Sequence, residues 1–130
     1  MKKTLIPILA LVLLLAGASA QAANTVNKSG CIVTVSAMDS DFDLAAAGYG
    51  PGAGWRLVSI EFFGGAANDR LLVKNGSDTG PEMFDRTIDD VRVPAIKYFM
   101  GAEAQPLIDY SECTLSAGHK VIFTLRGADR

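Results

Sequence analysis

Absences narrow this chain before any motif does. It has one histidine, His119, and two cysteines, Cys31 and Cys113, with no C-x-x-C pair. A thioredoxin-like redox motif and a multi-cysteine zinc site therefore have no support. There is no G-x-S-x-G, so the nucleophile elbow of an α/β-hydrolase is missing. Any serine or cysteine nucleophile would have to use His119 as its base, and the turn Ser116-Ala117-Gly118-His119 is expected to hold that ring in solvent. Lysine and arginine form no cluster, which argues against nucleic acid and against anionic membrane surfaces. The glycine-rich stretch over residues 48–54 has no G-K-[ST] after it and no strand–loop–helix setting, so it is not a phosphate loop. The chain also lacks an amphipathic helix longer than two turns, an internal repeat and a linker that would divide it.

What is present starts at the N-terminus. Lys2 and Lys3 form a short positive region, residues 5–15 are an uncharged apolar run, and Ala16, Gly17, Ala18, Ser19, Ala20, Gln21 and Ala22 are mostly small. That order is the signature of a secretory signal peptide of bacterial style, over residues 1–22, cleaved after Ala20 or after Ala22. The run is shorter than the roughly 20 apolar residues of a spanning helix. Ala18 stands where a lipoprotein would carry its cysteine. The expected location is periplasmic or secreted, with no membrane span once the leader is removed. Lys2 and Lys3 leave with it, so 10 basic residues remain against 14 acidic ones, a formal charge of −4 instead of −2. Residues 23–130 form a single domain of about 110 residues.

In an exported chain, two cysteines are most simply a disulfide. A Cys31–Cys113 bridge would close a loop of about 80 residues, worth on the order of 4–5 kcal/mol in the chain-entropy model. Two reduced core thiols or an intermolecular bridge are the alternatives.

Residues 21–30 are polar and read as a loose arm. Residues 31–38 alternate and read as a strand, and residues 39–54 as a long loop with one helical turn around Phe42 to Ala47. Residues 56–63 form a second strand with Val58, Ile60 and Phe62 on one face, and residues 69–74 a third with Leu71 and Val73 inward. Asn75-Gly76 is a turn dipeptide, after which Met83 and Phe84 return to the core. Residues 91–100 are apolar at alternate positions, but Pro94 makes this segment an edge or a bulge. Residues 106–115 are a further strand candidate. Residues 120–126 are the clearest strand, with Val121, Phe123 and Leu125 facing in. About six to eight short strands predict an all-β domain, an antiparallel sandwich or jelly roll.

Asp39, Asp41 and Asp43 have the alternate spacing that can turn three carboxylates toward calcium, the one cofactor this sequence suggests. An EF-hand loop would need glycine where Leu44 stands and glutamate where Gly50 stands, so a solvated loop with turn-capping aspartates competes with that reading. Asp85, Asp89 and Asp90 form a second acidic patch, suited either to acid–base work or to a charged turn. Tyr49 and Trp55 flank the glycine-rich loop and make a platform for a sugar ring or a partner protein, unless Trp55 packs in the core. Asn27-Lys28-Ser29 and Asn75-Gly76-Ser77 match a glycosylation sequon that carries little meaning behind a bacterial-style leader.

Asp69-Arg70-Leu71-Leu72-Val73-Lys74-Asn75-Gly76-Ser77, followed by Gly80-Pro81, resembles the strand–turn signature of CUB-type extracellular β-sandwiches. Residues 116–125 resemble that family's final hairpin strand. The likeness covers about a fifth of the mature chain, and it is similar also to small β-sandwich proteins of bacteria and their phages. It implies a sandwich fold and a binding role. Two local disulfides of the family have no counterpart here.

The expected function is a non-catalytic exported module that binds a protein or glycan partner through loops. A small extracytoplasmic hydrolase built on one of the acidic groups is the alternative, as is a structural subunit that assembles by strand addition at the Pro94 edge. The oligomeric state is left open.

Overall fold

The computed structural model describes residues 24–127. The expected signal peptide lies outside the described residues. Nine strands form two antiparallel sheets among them. In chain order these are β1 (Thr25–Ser29), β2 (Ile32–Ser36), β3 (Phe42–Asp43), β4 (Trp55–Phe63), β5 (Arg70–Asn75), β6 (Glu82–Thr87), β7 (Ala95–Ala102), β8 (Pro106–Ile108) and β9 (Lys120–Gly127). The first sheet has the order β1-β2-β9-β4-β7 and the second β3-β8-β5-β6. Among the described residues, no helix is long and apolar enough to cross a membrane.

Strict alternation sets which side chains are buried. In β2 the buried residues are Val33 and Val35, and in β9 they are Val121, Phe123 and Leu125. Register aligns them. Val33 pairs with Phe123 and Phe123 with Ile60, while Val35 pairs with Val121 and Val121 with Phe62. Two apolar rows therefore run across one face of the first sheet. The second sheet has its own row, Phe42–Ile108–Val73–Phe84. Both sets belong to one buried cluster, and the Phe42 ring lies 6.0 Å from that of Phe123.

Several sequence expectations need correction. The polar arm forms β1, whose five residues are all exposed; backbone pairing with β2 recruits it without any apolar face. A register shift between Leu57 and Ser59 changes the phase of β4, so Leu57, Ile60 and Phe62 are buried and Val58 is not. The strand expected over residues 106–115 stops at Ile108 and gives way to a 3₁₀ turn, Tyr110–Glu112. The long loop contains β3, a π-helical turn at Ala45–Tyr49 and a 3₁₀ turn at Pro51–Ala53.

Candidate functional site

The densest polar construction lies where the β4–β5 connection meets the turn before β9. Residues 64–68 lead from β4 to Asp69, which is 1% exposed. Its Oδ2 accepts the backbone N–H groups of Gly65 (2.8 Å), Ala66 (3.3 Å) and Ser116 (2.9 Å), and its Oδ1 accepts the Ser116 hydroxyl at 2.6 Å. Burial pushes the carboxyl upward, but these four hydrogen bonds together outweigh it and hold the group below its usual value. The local half of this knot has a sequence signal, an aspartate closing a glycine-rich turn. Its Ser116 half, 47 residues away, has none.

His119 is a correction. Instead of facing solvent, it is buried at 5% exposure. Its Nε2 accepts the Met38 N–H at 3.0 Å, so Nδ1 carries the hydrogen and donates to the Ser116 carbonyl at 2.8 Å. Aspartate, serine and histidine thus meet, but not as a catalytic triad. A triad needs the serine hydroxyl to donate to the imidazole and the imidazole to donate to the carboxylate. Here the hydroxyl proton goes to Asp69, and both ring nitrogens serve the backbone. The knot ties β2, β5 and β9 together beside an open depression of about 460 Å³ lined by Ser36, Ala37, Gly118 and Lys120.

The three loop aspartates do not converge. Asp39 accepts the Ser40 hydroxyl, Asp41 accepts the Tyr110 N–H at 2.8 Å, and Asp43 accepts the N–H groups of Ala45 and Ala46. Among the described residues, no group of three or more histidine, cysteine, aspartate or glutamate side chains is placed to hold a metal ion.

The second acidic patch is dispersed as well. Asp85 takes a two-pronged bond from Arg70 at 2.9 Å on each oxygen, and Asp90 takes one from Arg92. The bond from each arginine holds its partner carboxyl below the usual range. A general acid needs the opposite shift, so these two groups are poor proton donors. Asp89 is exposed, and it lines with Asp90, Val93 and Pro94 a shallow hollow of about 300 Å³.

Tyr49 and Trp55 do come together, with ring centroids 5.1 Å apart. Both are half-buried and pack on the core. The Lys28 ammonium donates to the Ala47 carbonyl at 2.8 Å and lies 5.7 Å from the Tyr49 ring. The pair thereby anchors β1 and the glycine-rich loop.

The expected Cys31–Cys113 bridge is another correction, since both cysteines are free. Cys31 projects into solvent from the tight turn between β1 and β2. Cys113 is drawn against the second sheet, where its Sγ accepts the Leu72 N–H at 3.4 Å and donates to the Asp109 carbonyl at 3.3 Å. Burial pushes the Cys113 thiol up. Alkylation of the native protein is therefore expected to label Cys31 rapidly and Cys113 only on unfolding. Mass spectrometry that finds neither thiol labelled would contradict this placement.

One surface feature was not anticipated. The apolar alternation around Pro94 points outward. On β7, Ile96, Tyr98 and Met100 are 38, 70 and 90% exposed, and Val91 and Val93 just before it are 47 and 62% exposed. The inward positions Ala95 and Phe99 pack on the core. Sequence alternation identifies the two faces of this strand; pairing with β4, which sets Ile96 beside Glu61 and Tyr98 beside Ser59, decides which face is outside. β7 is also an edge, its backbone paired with β4 alone among the described strands.

In comparisons with protein families, curated proteins and solved structures, the chain matches none.

Proposed function

We propose that this chain is an exported, non-catalytic β-sandwich module that binds another protein through the β7 face of the first sheet. The carrying observation is the solvent-facing row Ile96–Tyr98–Met100, extended by Val91 and Val93. Exposed apolar residues scattered singly need no explanation, but a row on one edge strand marks a contact surface. Tyr98 and Met100 are residue types favoured in interface cores.

The sandwich reading is supported by the shared cluster and by the Phe42–Phe123 contact between sheets. The binding reading moves from the loops to the strand because Tyr49 and Trp55 are engaged with the core. The non-catalytic reading is supported by the wiring of Asp69, Ser116 and His119 and by the arginines on Asp85 and Asp90. Export rests on residues 1–22.

The test is site-specific photo-crosslinking in the cell that makes the protein. A photoreactive residue at position 98 is expected to give a discrete adduct, and one at position 27 on β1 none. The same preparation, taken from the extracytoplasmic fraction, is expected to begin at Gln21 or Ala23. Equal labelling from both positions, or none from position 98, would sink the binding reading.

A further inference from the structure

We infer that the β7 edge pairs with a second copy of this chain, forming a two-fold antiparallel β7–β7 dimer that sets the two exposed apolar rows side by side on one face. This rests on the binding reading above and names its partner.

The first support is the open ladder. Among the described residues β7 pairs with β4 on one side only, which leaves its other row of backbone N–H and C=O groups open to pairing. Inward-pointing lysines guard many edges, and Lys97 is such a residue. Here, however, its ammonium is drawn away to the Met83 carbonyl of β6 at 2.8 Å and lies 5.3 Å from the Phe99 ring.

The second support is that the strand complements itself about a two-fold axis through Tyr98. Positive φ at Met100 (54°) and Gly101 (82°) limits the regular part of the strand to residues 95–99. An axis through Phe99 would put those irregular residues at the centre of the ladder. An axis through Lys97 would place two lysines at directly opposed positions, and like charges there are destabilising. An axis through Tyr98 moves Met100 and Gly101 out to the rim of the ladder and sets the two lysines apart. Tyr98 then meets the partner's Tyr98, Ile96 meets the partner's Met100, and Lys97 faces the partner's Phe99, an aromatic ring it already favours.

Charge provides the third. Asp89 precedes β7, is exposed and makes no ion pair among the described residues. Arg126 is also exposed and without an ion pair among them, and its guanidinium lies against Gly101 near the far end of β7. Antiparallel pairing brings the start of one β7 to the end of the other. The Asp89 end of each copy thus meets the Arg126 end of its partner, twice by symmetry.

The decisive measurement is mass in solution for the purified mature chain, by sedimentation over about a hundredfold range of concentration. The expected result is a monomer–dimer equilibrium. Tyr98→Lys, with its exposed side chain, is expected to keep the melting temperature and leave only monomer. In a Cys31→Ser background, Tyr98→Cys is expected to form a covalent dimer on mild oxidation, because directly opposed strand positions lie within disulfide reach; Asn27→Cys is expected to form none. Monomer at every concentration overturns the inference, as does a dimer that survives Tyr98→Lys or an open series of larger polymers. A monomer whose position-98 adduct contains a different protein overturns the self-pairing while leaving the binding reading intact. A monomer with no adduct overturns both.

Discussion

Asp69→Ala is expected to lower the unfolding free energy by about 3–5 kcal/mol. Three backbone N–H groups and one hydroxyl point at this carboxylate. Truncation leaves those donors in a site that is 1% exposed, where each unmet group costs about 1–3 kcal/mol. In a domain of this size the loss corresponds to a fall in melting temperature of about 15–30 °C. Asp69→Asn should lose less, because one amide oxygen can still accept while the NH₂ group opposes the N–H donors. The pH dependence has a definite sign. A carboxyl held below its ordinary value contributes stability that is complete at neutral pH and is lost as pH falls through the lowered value. The gap between wild type and Asp69→Ala in urea unfolding should therefore be widest at neutral pH and narrow in acid. A neutral-pH loss below about 1 kcal/mol would show that the knot is not holding the two segments together.

Gly65→Ala is expected to be nearly as damaging, at about 2–4 kcal/mol. A Cβ at this position would run into the carbonyl oxygens of Ser116 and Ala117 and lie 2.8 Å from the Ala117 carbonyl carbon. Backbone atoms cannot rotate aside, so the β4–β5 connection would have to lift off the turn before β9. Gly52→Ala is the control. Nothing lies within 4 Å of its Cβ, so alanine there should be neutral or stabilising by about 0.4–1 kcal/mol through the unfolded chain. The Gly65 connection carries the N–H groups that Asp69 accepts. The Gly65→Ala, Asp69→Ala double variant should therefore cost less than the two single losses added together, and thermal melts of the four proteins measure that coupling. Full additivity would mean the two residues act in separate places.

The strand of Val121, Phe123 and Leu125 was legible because alternation alone sets which face is buried. Leu71 and Val73 were legible for the same reason, although Leu72 between them is buried too. β4 was mostly legible: alternation identified a strand with Ile60 and Phe62 inward, but the register shift after Leu57 put Leu57 in the core in place of Val58. β1 was not legible, because a short polar strand on an edge is defined by the backbone of its neighbour. The burial of His119 was not legible because its two partners are backbone groups, and a sequence gives no sign of where those will lie.

Composition and pattern by themselves determined the β class, the location of the main apolar strands, the features of a leader, and the lack of redox, phosphate-loop and nucleophile-elbow motifs. These follow from local preference and short-range periodicity, which any stretch of chain expresses alone. Only the tertiary structure decided that Cys31 and Cys113 stand apart, that Asp69, Ser116 and His119 meet in a structural knot, that the loop aromatics turn to the core, and that Ile96, Tyr98 and Met100 face outward on an open edge. Each depends on which segments lie side by side and in what register, a choice made by the whole core at once.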